Sequence, residues 1–141
     1  MNSLKQLIRL HRWNLDEKRR KLNEFESLRD RMLGDIAELE QLAERETEIA
    51  AQNREGAMAF PQFISVLIER RRKLTNSLGE VEVAIEEARE RLAEAFQEVK
   101  RYEIAAENAM KREAHKRRLK ETTLENEQGL ESFRRKAGLR G

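Results

Sequence analysis

An apolar residue recurs at alternating intervals of four and three positions along most of the chain, and this spacing constrains the fold most strongly. From Phe60 to Ala109 the repeat holds at fourteen of fifteen positions, and Arg71 is the exception. From Leu4 to Glu46 it holds at nine of thirteen. Such a repeat gives each helix one apolar stripe, which two helices can bury against each other as a coiled coil.

The composition supports a narrow core of this kind. Charged residues make up 40% of the 141 residues and aromatic residues 5%. A chain of this composition has too few apolar residues to fill a multilayer core. We therefore predict an all-α fold: a long two-helix antiparallel coiled-coil hairpin, with the second helix longer and ending in a C-terminal overhang. The repeat positions, here called the seam, are Leu4, Ile8, His11, Leu15, Lys18, Leu22, Phe25, Arg29, Met32, Ile36, Leu39, Ala43 and Glu46, then Phe60, Ile64, Leu67, Arg71, Leu74, Leu78, Val81, Ile85, Ala88, Leu92, Ala95, Val99, Tyr102, Ala106 and Ala109.

The two halves of the repeat are separated by the stretch NREGAMAFP. Gly56 can adopt the positive φ of a tight turn. Pro61 suits the first turn of the second helix, where its missing N–H is no loss. A short connection makes the two helices antiparallel neighbours. The predicted single domain, 1–141, comprises helix one at about 3–52, a turn at about 53–60, helix two at about 61–128 and a frayed tail at 129–141.

The turn also predicts which residues face each other. If its centre lies between residues 56 and 57, facing residues have numbers that total about 113. Leu4 then faces Ala109, and the seam of the second helix fails at the next position, Glu113. The pattern thus stops where the first helix runs out, which leaves residues 113–135 as an unpaired helix, the overhang.

Two glycines, Gly34 and Gly79, lie inside the predicted helices at the same height in the hairpin. A glycine weakens a helix by about 1 kcal/mol relative to alanine. Either the two positions are unrelated, or they form one soft point at which the hairpin bends. Hydrogen exchange along the helices distinguishes the two hypotheses.

The charge balance and the residue types exclude several classes of function. The net charge of +2 does not favour a nucleic-acid or membrane-surface binder. The absence of cysteine excludes disulfides and thiolate zinc sites and agrees with a reducing cytoplasm. No apolar run approaches the roughly 18–20 residues of a membrane span, and Arg9, His11 and Arg12 interrupt any secretory leader.

No constellation for catalysis is present either. The carboxylates alternate with lysine and arginine at spacings of three and four, as they do on solvated helix faces. His11 and His115 are expected about 20 Å apart along the hairpin, too far to share a metal. We predict a protein that is not an enzyme, with no catalytic residues, metal, cofactor or small-molecule substrate.

Apolar residues off the seam suggest binding surfaces at both ends of the hairpin. Leu7, Leu10 and Trp13 form a second stripe near the N-terminus. Either the only tryptophan packs sideways near Phe96, or this end enters a socket in another protein. At the turn, Phe63 and Ile68 are apolar and not required by the seam, and Met58 adds a flexible apolar side chain. Apolar ends with charge between them suggest a connector.

The basic run at residues 111–120, KREAHKRRLK, carries a local charge of +5. It either keeps a single helix soluble or docks an acidic partner, which could be a protein or a nucleic acid. No aromatic residues are interleaved to stack on bases, so nucleic acid is the weaker case.

Three stretches of the chain resemble the FliJ family, the small soluble component of the bacterial flagellar type III export apparatus. They are LIRLHRWNLDEKRRKL, FPQFISVLIERRRKL and LAEAFQEVKRYEIAA. The resemblance covers the chain in length and helix order and is loose over residues 111–141. The tryptophan inside a basic frame makes it more specific than periodicity alone.

The resemblance implies a coiled-coil hairpin similar to the stalk subunit of rotary ATPases. A self-sufficient hairpin is expected to be monomeric in isolation. Its partners would be the export ATPase hexamer, the membrane export-gate protein and export chaperones, and it would lie in the cytoplasm at the inner face of the inner membrane. The terminus end would enter the pore of the ATPase ring, and the helices near the turn would contact the gate. Carried over, the ring-binding residues are Leu7, Arg9, Leu10, Arg12, Trp13, Lys111, Arg112, Lys116, Arg117 and Arg118. The gate-binding residues, from the matching QFI-x-x-L pattern, are Phe63, Leu67, Arg70 and Leu74, although Arg70 stands where the family has a small residue.

Three alternatives stay open at this stage. The first is the equivalent stalk of a virulence-type type III secretion system, with the same fold and another partner. The second is a coiled-coil arm that binds nucleic acid through residues 111–120, whose affinity would fall steeply with salt. The third is a structural coiled coil that dimerises, which a mass measurement in solution would reveal.

Overall fold

Two α-helices form the fold in the computed structural model, which describes the backbone of residues 2–140 and the side chains of residues 3–138. Helix α1 spans Asn2–Gln52 and helix α2 spans Arg54–Arg140. The described residues contain no β-strand. The chain is thus an all-α two-helix hairpin with the second helix longer, which confirms the predicted fold class.

The burial pattern follows the seam. All thirteen seam positions of α1 are buried or half-buried, and so are fourteen of the fifteen in α2. The exception is Arg71, the same residue that interrupts the apolar repeat. The repeat therefore predicts the core residue by residue, because it places one side of each helix against the other. The most buried apolar side chains are Leu15, Leu67, Val81, Ile85, Ala88, Ala95 and Val99.

One residue, Asn53, makes the connection between the helices. Its N–H donates to the carbonyl of Ile49 at 3.0 Å, which completes the hydrogen bonding of α1. Its own carbonyl accepts from the Ala57 N–H at 2.9 Å, the first bond of α2. Its side-chain oxygen accepts from the Glu55 N–H at 3.1 Å. Asn53 is therefore the N-cap of α2, a position that asparagine favours for this reason.

The predicted turn at about 53–60 is wrong, because this cap starts α2 at Arg54. Gly56 lies inside the first turn of α2, and no described glycine has a positive φ. A Cβ added to Gly56 would stand 3.4 Å from Ile49 Cγ2, an ordinary contact. Pro61 was predicted in the first turn of α2 but lies further inside the helix, because α2 begins at Arg54. Its missing N–H leaves the Ala57 carbonyl without its helical donor.

The predicted end of helix two at about 128 is also wrong over the described residues, since α2 continues through Gly129 to Arg140. One glycine costs a helix about 1 kcal/mol but ends it only when the chain turns there. Local pairs support the continuation, such as Arg135 Nη2 and Glu131 Oε1 at 3.3 Å. Gly141, the last residue of the predicted tail, lies outside the described residues.

The contacts divide the hairpin into two compact units. The larger unit, His11–Gln97, contains Asn53 and every strongly buried side chain except Val99. The smaller unit combines Met1–Leu10 with Glu98–Gly141. Within it, Leu4 and Ile8 of α1 are half-buried, as is Ala109 of α2, whereas every described side chain from His115 onward is exposed.

Candidate binding surfaces

The four residues proposed for the turn-side surface differ sharply in exposure. Leu67 is 4% exposed, so its side chain fills the seam and is not presented to a partner. Phe63, one helical turn earlier, is 37% exposed, and Arg70 is also exposed. Leu74 is half-buried. Of the four predicted positions, Phe63 and Arg70 offer surface directly, and Leu67 holds the helix that carries them.

A groove of about 740 Å³ lies between the helices of the larger unit and contains two of these predicted residues. Its apolar lining comes from leucines of both helices, with acidic and basic side chains around them. The lining residues are Asp35, Glu38, Leu39, Leu42, Arg45, Arg70, Lys73 and Leu74. The structure thus brings Arg70 and Leu74 together with α1 residues that sequence reasoning did not select. The seam spacing contained the signal for Leu39, but nothing in the sequence indicated that the helices leave a groove beside it.

The arginine run at residues 70–72 has two different kinds of ion pair. Arg72 donates from Nε and Nη2 to the carboxylate of Glu69, at 3.0 and 2.6 Å. These hydrogen bonds hold the pKa of Glu69 below its usual value and raise the pKa of Arg72. Arg71 instead reaches across to α1, where its Nη2 lies 2.9 Å from Glu40 Oε1. Arg72 therefore pairs within α2, whereas its neighbour Arg71 joins α2 to α1.

In the smaller unit, the N-terminal segment of α1 presents apolar surface to solvent. Leu7 and Leu10 are both exposed, and Arg9 between them is exposed as well. Leu4 and Ile8, the seam residues of the same segment, are half-buried. The exposures thus separate the seam residues from the second stripe, as the spacing predicts.

Trp13 belongs to the larger unit and is 62% exposed. Phe96, the proposed packing neighbour, is 45% exposed. A tryptophan packed sideways on α2 would be largely covered, so most of this ring is available for another contact. Arg12 beside it is exposed too. The sideways packing predicted as one alternative accounts for at most a minor part of the Trp13 surface.

The basic run of α2 is exposed at all five residues proposed to bind the ATPase ring: Lys111, Arg112, Lys116, Arg117 and Arg118. Lys111 has a carboxylate on its own helix, with its Nζ 3.2 Å from Glu107 Oε1. The overhang, which overlaps this run, also carries exposed apolar side chains that the spacing did not single out: Leu119, Leu124, Leu130 and Phe133. Their irregular spacing of five, six and three residues fits neither the seam nor a second stripe, which is why pattern reasoning passed over them.

Two kinds of site are absent from the part of the chain that the structure describes. No group of three or more histidine and carboxylate side chains is arranged to hold a metal ion. No helix in this part combines the length and the apolar character needed to cross a membrane.

No protein-family model, curated protein or solved structure matches this chain. The resemblance to the FliJ family therefore rests on the three stretches of sequence quoted above.

Proposed function

We propose that the chain is a non-enzymatic stalk or adaptor of a bacterial flagellar type III export apparatus. It couples the export ATPase hexamer to the membrane export gate and contacts export chaperones, working in the cytoplasm at the inner face of the inner membrane. Three features support the proposal: the FliJ-like stretches, the two-helix hairpin, and apolar side chains that the hairpin leaves in water.

The observation that carries the proposal most is the exposure of Trp13. A tryptophan is costly to leave in water and is the residue most enriched among binding hot spots. At 62% exposure, Trp13 contributes little to the hairpin's own core. Arg12, which is exposed beside it, adds long-range attraction to an acidic rim without adding to the core. This combination suits a surface that another protein buries.

The proposed mechanism requires no bond chemistry in this chain. A stalk inserted into a ring of ATPase subunits binds the conformations of those subunits unequally. Any such difference in affinity shifts the population of the ring's states. Trp13 supplies affinity in the larger unit. In the smaller unit, Leu7 and Leu10 supply affinity and the basic run of α2 supplies attraction to acidic groups.

The gate contact is proposed to lie near the turn, in the larger unit. Phe63 and Arg70 supply accessible surface there, and Leu74 lines the groove beside them. Leu67 acts through the seam by holding α2 in place. Residues of α1 that line the same groove, such as Leu39, then belong to the contact as well.

The decisive experiment measures binding of the full chain to the export ATPase and to the soluble part of the gate protein from the same organism. Wild type is expected to bind both, and Trp13→Ala to bind the ATPase at least tenfold more weakly while binding the gate normally. Val83→Ala is the matched control, because Val83 is an equally exposed apolar residue of the same unit outside both surfaces. If the wild-type chain binds neither the ATPase nor the gate protein, the proposed function is refuted. Normal binding by Trp13→Ala would refute only the role of Trp13.

The same measurements address the two other candidate functions. Binding to the ATPase of a virulence-type system in preference to a flagellar one would reassign the stalk to that system. The exposed basic run of α2 is the observation that keeps a nucleic-acid arm under consideration. Tight binding to duplex or single-stranded nucleic acid, with a steep fall as salt rises, would favour it.

A further inference from the structure

The core of the larger unit is not continuous. Val81, Ile85, Ala88 and Ala95 are strongly buried at regular intervals along α2. Between Leu67 and Val81, by contrast, no side chain of α2 is buried, and Leu74 and Leu78 on the seam are only half-buried. Within the larger unit, Leu15 is the one strongly buried side chain of α1, so the difference in burial lies in α2. This part of the hairpin is therefore packed less tightly than the part around Ile85 and Ala95.

Three further features weaken the same part. The seam position 71 is an arginine held by a solvent-exposed ion pair to Glu40, which contributes little. The groove of about 740 Å³ lies here, so neighbouring leucines lack contacts on one side. The sequence TNSLG at residues 75–79 consists mainly of residue types with low helix propensity.

Gly34 and Gly79 both lie in this part of the hairpin, one in each helix. A Cβ added to either glycine meets no atom within 4 Å, and neither has a positive φ. Neither packing nor backbone conformation therefore requires glycine at these positions. The two glycines lower the free energy needed to leave the helical conformation, one in each helix.

We propose that residues 33–45 and 68–80 form a joint, in which α1 and α2 open or bend together more readily than in the part around Ile85 and Ala95. A partner that binds a bent hairpin would act here, because local opening costs least where packing and helix propensity are both poor. The joint follows from the hairpin itself and is independent of the proposed export function.

Hydrogen exchange of the full chain tests the joint. In wild type, amides of the joint are expected to exchange at least tenfold faster than those around Ile85 and Ala95. Gly34→Ala should slow exchange about fivefold, the factor that corresponds to the glycine–alanine difference in helix propensity. Because the helices open together, the slowing should appear in residues 68–80 of α2 as well as in α1. Gly79→Ala should slow exchange in residues 33–45 of α1 as well as in α2. The double variant should slow exchange on the order of 25-fold.

Gly129→Ala is the matched control, since Gly129 also lies in a helix with no atom within 4 Å of an added Cβ. It should leave exchange in the joint unchanged. Protection of the joint equal to that around Ile85 would overturn the proposal. Slowing confined to the helix that carries each substitution would also overturn it, because the glycines would then be two unrelated weak points.

Discussion

Arg71 Nη2 lies 2.9 Å from Glu40 Oε1, so a seam position of α2 is joined to α1 by an ion pair. The side chains of Arg71 and Glu40 are 59% and 50% exposed. An ion pair this exposed contributes about 0–1 kcal/mol. A second groove, of about 330 Å³, lies beside this ion pair and is lined by apolar residues of both helices, including Leu39 and Leu67. The hairpin thus has a polar contact at a position where the apolar repeat predicts an apolar one.

Replacing Arg71 by leucine should therefore stabilise the hairpin. The new side chain would cover Leu39 and Ile64, which are half-buried, and we expect a net gain of about 1 kcal/mol after the loss of the ion pair. Urea unfolding followed by circular dichroism measures this gain. Arg72→Leu is the control, because Arg72 pairs with Glu69 on its own helix and faces away from the seam. A gain of equal size in the control would mean that the effect does not come from the seam.

Leu67→Ala and Phe63→Ala should separate structural from binding residues near the turn. Leu67 is 4% exposed, so its truncation leaves a cavity and should cost about 2–4 kcal/mol of unfolding free energy. Phe63 is 37% exposed, and its truncation should cost less, about 1–2 kcal/mol. Equal costs would contradict this division. If it holds, Phe63→Ala is the variant with which to measure the gate contact, since any loss of binding then reflects the surface.

The sequence predicted the fold and the seam well because a coiled coil repeats one local rule along its whole length. Arg71 illustrates this: the one polar residue in the second half of the repeat is also the one exposed seam position there. The ends of α1 were predicted to within one residue, whereas those of α2 were not. A single side chain decides where α2 begins. The Asn53 side chain caps α2, and no apolar pattern distinguishes such a cap from an ordinary loop residue.

The candidate surfaces were predicted only in part. Spacing identified Leu7, Leu10 and Trp13 as off the seam, and all three are exposed. Spacing could not tell that Leu67 is too buried to meet a partner, because a seam residue and a surface residue can share one apolar motif. The groove depends on how far apart the helices stand, which is set by side-chain packing along both of them.

The Glu69–Arg72 pair predicts a small and specific effect of pH. The hydrogen bonds from Arg72 lower the pKa of Glu69, so the stabilisation is complete above the ordinary glutamate pKa. It is lost as the pH falls from that value through the lowered pKa. Titration of the Glu69 carboxyl by NMR should give a midpoint below the usual range, and Arg72→Gln should raise it. Arg70→Gln is the control, and an equal rise there would mean that general positive charge is responsible.

Trp13 makes its own exposure measurable, because it is the only tryptophan in the chain. Its fluorescence in the free protein should be readily quenched by acrylamide and should change little on unfolding in urea. Binding of the ATPase should reduce the quenching strongly if the ring covers this side chain. Trp13→Phe should bind more nearly like wild type than Trp13→Ala, since it retains an aromatic ring. Strong protection from quenching in the free chain would instead indicate that Trp13 packs on its own hairpin.

The overhang should melt before the hairpin does. Every described side chain from His115 onward is exposed, so this part of α2 is held only by its own backbone and local pairs. Most helical stability in proteins comes from tertiary packing, which this part of α2 lacks. Helicity by circular dichroism should therefore fall gradually on warming, ahead of a cooperative transition. A chain ending at His115 should lose the gradual phase and keep the cooperative midpoint, whereas Gly129→Ala should strengthen the gradual phase alone. A lowered midpoint in the truncated chain would show that the overhang packs on the hairpin and stabilises it.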